Sequence, residues 1–147
     1  MRALICVLAA AVIAGCGSDT TEPAVDLTLA PTSTDVAGAF NLISANGTAP
    51  PFPAFSTPTA DWTLAADTIA ITATNTWTEA TTYLVTSLLD NTTSTQFSVV
   101  SGTYAIANGK INFTMTQGGT ENFVGSVTAN TLTMIYTGKK FIYTKDQ

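Results

Sequence analysis

Histidine is absent from the 147 residues. That removes Ser-His-Asp triads, histidine metal sites and the commonest general base. Charge is scarce too: Lys and Arg together number 5, Asp and Glu 10, for a formal net charge of -5. So acidic a balance excludes a basic groove, and no nucleic-acid partner is expected. Lys, Glu and Leu, the usual helix formers, are few. The 2 cysteines stand at positions 6 and 16, so no disulfide can form within residues 17–147. What abounds is threonine, with 29 copies. Its branched Cβ favours extended backbone. The length suits a single domain. Together these features point to an extracytoplasmic all-β domain and name no reaction.

Arg2 is followed by an apolar run of 12 residues, Ala3 to Ala14. As a helix it would span ~18 Å, at about 1.5 Å per residue, against roughly 30 Å of membrane hydrocarbon. It is too short to cross a membrane and suits the apolar region of a signal peptide. The run closes with Ile13-Ala14-Gly15-Cys16, which resembles the lipobox of bacterial lipoproteins. That resemblance implies cleavage before Cys16 and lipidation of its thiol by diacylglycerol and palmitate-class chains. At ~0.8 kcal/mol per buried methylene, two or three chains give a permanent hold. The membrane would then be a partner through Cys16. Gly17, where an Asp would signal retention, implies an outer-membrane destination, facing periplasm or cell surface. Residues 1–15 are read as the signal peptide. Residues 16–35, with Asp19, Glu22, Asp26 and Asp35 and no base, are read as the lipidated cysteine and a solvated tether.

From residue 36 to 147 the chain alternates apolar and polar residues, broken by Asn and Gly. Phe40 and Leu42 share one face of a first strand, and Asn46-Gly47 is a turn. Ala49-Pro50-Pro51-Phe52-Pro53 opens a loop reaching about Ala60, because proline lacks a ladder donor. Trp62 to Ala66 is a short strand or turn. Thr68 to Thr74 turns Ile69 and Ile71 to one face. Thr76 to Thr86 does so with Trp77, Tyr83 and Val85. Gln96 to Ala107 shifts phase from Phe97 and Val99 to Tyr104 and Ile106, with a bulge at Ser101-Gly102. Asn108-Gly109 is the strongest hairpin signal. The remaining strands turn Ile111, Phe113 and Met115, then Phe123 and Val127, then Leu132, Met134 and Tyr136, then Phe141 and Tyr143 inward. About eight antiparallel strands with short links predict an up-and-down meander closed into a barrel. A two-sheet sandwich would need longer crossovers. A membrane-spanning barrel would need an apolar outer band, whereas the second face here is Thr, Ser and Asn.

The Gly38-Ala39-Phe40 start, the long first loop and the meander resemble a bacterial lipocalin-like lipoprotein domain. Lipocalins carry G-x-W on the first strand, and Phe40 stands in the aromatic place. The resemblance implies that a basic residue of the last strand covers this aromatic, and Lys145 is the candidate.

Period-two alternation turns Glu79 inward with Trp77, and Glu121 shares a face with Phe123. Two carboxylates suggest a glycosidase-like acid and base, but both lie near turns, where a solvated rim position is the plainer reading. The ligand-binding candidates are Trp77, Glu79, Tyr83, Tyr104, Glu121 and Phe123. Core packing is the plainer reading of the aromatics. No spacing suits a metal, a phosphate loop or a nucleophile elbow, and neither catalytic residue nor cofactor is expected. The expected function is a non-enzymatic, lipid-anchored lipocalin-like barrel binding a small apolar molecule or lipid. The alternative is a structural or interaction module of the envelope, with a packed barrel and a contact surface at Pro50 to Pro53. The interior volume separates them: ~300 Å³ or more favours a ligand.

Overall fold

A computed structural model describes residues 31–146. The expected signal peptide, Cys16 and most of the tether lie outside these residues. A short helix α1 (Ser33–Val36) precedes nine strands. They are β1 (Gly38–Ala45), β2 (Phe52–Ser56), β3 (Ala60–Ile71), β4 (Thr76–Ser87), β5 (Thr93–Ala107), β6 (Lys110–Gln117), β7 (Asn122–Thr128), β8 (Thr131–Tyr136) and β9 (Lys139–Lys145). Neighbours run β1-β9-β8-β7-β6-β5-β4-β3-β2, and a further β1–β3 pairing closes the sheet. All pairings are antiparallel. β1 pairs with Thr68–Ile71 of β3, and β2 pairs with Asp61–Leu64 of the same strand. The two share one place in the wall, so the result is the closed eight-stranded barrel that the meander predicts.

One end is plugged. Val36 and Phe40 are fully buried there, and Trp77 nearly so. The Lys145 ammonium stands 5.7 Å from the Phe40 ring centre, the contact that the lipocalin resemblance implies. Gly38 makes this close approach tolerable. Its φ is +149°, and a Cβ there would collide with the Lys145 side chain. Trp77 donates its indole N–H to the Thr103 carbonyl at 3.0 Å. A Cβ at Gly102 would press on that indole nitrogen at 2.9 Å.

Residues 32–35, expected as tether, help to build this plug. Thr32 and Asp35 form a capping box, which satisfies backbone donors at the start of α1. Tyr104 ties the helix down by donating toward the Ser33 carbonyl (3.4 Å) and the Thr72 carbonyl (2.6 Å).

Three strand expectations need correction. The proline segment is not all loop: Phe52–Ser56 forms β2, with Pro53 opposite Thr63 and a register slip beside it. β2 ends the hydrogen-bonded order, and an edge strand tolerates a missing donor. Trp62–Ala66 and Thr68–Thr74 are not two elements, because β3 runs unbroken from Ala60 to Ile71. Finally, β5 keeps one phase along β4. The register slips where β6 meets Ser101 and Gly102, leaving Thr116 unpaired. Phe97 and Val99 therefore point outward, 76% and 64% exposed.

Candidate functional site

The interior beyond the plug is a cavity of about 450 Å³. Phe123 is its boundary with the packed core. Its ring stacks on Phe113 (4.8 Å) and meets Trp77 edge-on (5.1 Å), and it also meets Tyr136 (5.8 Å), which lines the cavity. Leu64, Val100, Met115 and Met134 supply apolar wall. The exposed segment Gly118–Glu121, between β6 and β7, lines the mouth.

A backbone irregularity sets the polar floor. The β3–β4 register slips between Leu64 and Ala66, so Ala65 is an extra residue in β3. An inserted residue switches which parity faces inward. Before it Leu64 is buried; after it Asp67, Ile69 and Ile71 are buried. Asp67 is thereby carried inside, 5% exposed. A buried carboxylate needs partners, and it has them. Thr81, its register neighbour on β4, donates to one oxygen at 2.9 Å. The Tyr143 phenol of β9 donates to the other at 2.7 Å.

Glu79 stands on the same inward face of β4, between buried Trp77 and Thr81. Its carboxyl is pushed up from an ordinary 4.5 to about 8, first by burial and then by the charge of Asp67. The Tyr143 phenol is pushed up for the same reasons: burial, then the charges of Asp67 and Glu79. Tyr83 is raised by burial and by both carboxylates. Burial and the neighbouring charge of Asp67 therefore both favour the protonated form of the Glu79 carboxyl at neutral pH.

Of the six candidates, Glu79, Tyr83, Glu121 and Phe123 line the cavity, and Trp77 and Tyr104 do not. Those two serve the plug through their hydrogen bonds to backbone carbonyls. The rim position suits Glu121, which is exposed, but not Glu79, which is drawn in beside Asp67. The acid facing Glu79 is therefore Asp67 and not Glu121. Sequence reasoning passed over Asp67, although it shares the parity of Ile69 and Ile71. Among the described residues, no group of three or more His, Cys, Asp or Glu could hold a metal ion.

Beside the mouth, Phe55 of β2 stacks on Trp62 of β3 at 5.1 Å, and Tyr83 meets both edge-on at 6.1 and 5.6 Å. Chemically the site offers apolar and aromatic walls, hydroxyls committed to Asp67, and beside it the Glu79 carboxyl, raised by burial. Compared with protein-family models, curated proteins and solved structures, the chain finds no match.

Proposed function

We propose that this chain is a lipid-anchored, non-enzymatic, lipocalin-like barrel of the outer membrane that binds a small apolar molecule. The cavity of about 450 Å³ above the plug carries the binding half of this reading. Ligand sites are concave, largely apolar, and fixed in orientation by a few polar groups. A filled interior would instead have favoured the purely structural role. The anchoring half rests on Ile13-Ala14-Gly15-Cys16.

Each half has its own test. Expressed with its leader in a diderm bacterium, the protein takes up labelled palmitate and sediments with membranes. Cys16→Ser abolishes the label and sends the chain to the soluble fraction; a variant that stays labelled and sedimenting refutes the anchor. For binding, the neutral dye N-phenyl-1-naphthylamine gains fluorescence on wild-type protein, and Ser98→Trp, which fills the mouth from an exposed lining position, suppresses that gain. No gain with wild type, or an equal gain with both, removes the cavity from the account.

A second reading, a contact module at Pro50 to Pro53, draws support from half-exposed Phe55 on the adjoining strand. Envelope crosslinks lost on deleting residues 50–53, with dye binding intact, would favour it.

A further inference from the structure

Resting on the cavity as the ligand site, we propose that its ligand is an organic cation: an apolar body bearing one ammonium group, seated over Asp67 and Glu79. Three observations converge on this chemistry. The lining includes the carboxylates of Asp67, Glu79 and Glu121 and no Lys or Arg. Five aromatic rings line the same space, those of Tyr83, Phe123, Tyr136, Phe141 and Tyr143. Ring faces attract cations, most strongly once water is displaced. Thirdly, both hydroxyls that reach Asp67 donate to it, and no described cation faces the pair. A neutral apolar ligand would strip water from this anionic pair and return no charge. An anionic ligand would add repulsion.

The proton on Glu79 is then the ligand's competitor. When the ammonium enters, the Glu79 carboxyl gives its proton to water, and the carboxylate left behind pairs with the cation. No covalent bond to the ligand forms. The groups acting on Glu79 are Asp67 from β3, Tyr83 from β4 and Tyr143 from β9; Thr81 of β4, Tyr136 of β8 and, at the rim, Glu121 line the same cavity. None of these is a Lys or Arg that could meet the charge of the carboxylates in place of the ligand.

The test is calorimetric titration of the full chain with three probes of one shape. They are 3-phenylpropyltrimethylammonium, its uncharged tert-butyl carbon isostere, and 4-phenylbutyrate. The quaternary probe has no proton to lose, so any pH trend belongs to the protein. The cation binds about tenfold or more tighter than the isostere, and the anion binds weakest. From about pH 6 to about pH 8.5 its affinity rises at least ~5-fold, while the isostere's stays level. Glu79→Gln abolishes that rise. Equal affinity of cation and isostere, or a pH trend surviving in Glu79→Gln, overturns the cation assignment while the apolar-binding reading stands. Failure of all three probes and of the neutral dye overturns both. The wild-type probe comparison stands whether or not the variant folds.

Discussion

Burial beside Asp67 pushes the Glu79 carboxyl to about 8, from an ordinary 4.5. Unfolding releases it. Between those two values the folded protein keeps a proton that the unfolded chain gives up. Stability is therefore highest below about pH 4.5 for this group and falls as pH rises, by up to about 1.4 kcal/mol per pH unit, until the folded carboxyl also ionises. Asp35 and Asp90 are both held below the usual range by hydrogen bonds from neighbouring hydroxyls and amides, so they titrate outside this window. Urea midpoints are expected to drop between about pH 5 and pH 8 in wild type and to stay level in Glu79→Gln, which is the more stable protein at the upper end. A wild-type midpoint flat across that window would show Glu79 to be solvated. Tyr143→Phe removes the phenol from Asp67 and leaves a buried acceptor short of a donor. It is expected to cost about 1–3 kcal/mol in the same assay. At this scale the sequence was half legible. Alternation turned Glu79 inward correctly and carries Asp67 with Ile69 and Ile71, yet it does not say that the two acids meet, because that depends on the β3–β4 register.

Strands are where sequence pattern carried furthest. Alternation in β4, β6, β7, β8 and β9 put Trp77, Phe113, Phe123, Met134 and Tyr143 on the inner face, and all are buried. The Asn108-Gly109 hairpin follows from its residues too, since Asn108 takes a positive φ of 52° at the β5–β6 turn. The phase change expected in β5 does not occur, because the slip at Ser101 and Gly102 inserts Thr116 into β6 and leaves β5 in one phase. Phe97 and Val99 look as inward as Tyr104 by composition, and only the unbroken β4–β5 register sends them outside. Paired substitutions separate these cases. Phe97→Lys is expected to change stability by less than about 0.5 kcal/mol, whereas Trp77→Ala costs about 3–5 kcal/mol. Similar losses in chemical denaturation would mean that β5 is packed on the opposite face. Proline misled for a different reason: the rule against it concerns central strands, and β2 is an edge.

For the whole molecule, the decisive feature is a barrel plugged at one end and hollow at the other. Val36, Phe40, Trp77 and Tyr104 fill the plug, while the hollow half holds its acids, its rings and its open rim. Barrel closure followed from strand number and short links. The hollow did not, because residue lists give no interior volume. Native mass spectrometry on the full chain purified from its native host tests the central claim most directly. Wild type is expected to carry a small-molecule adduct that is lost in Ser98→Trp. Bare wild-type protein, or an adduct that survives the filled mouth, would contradict it.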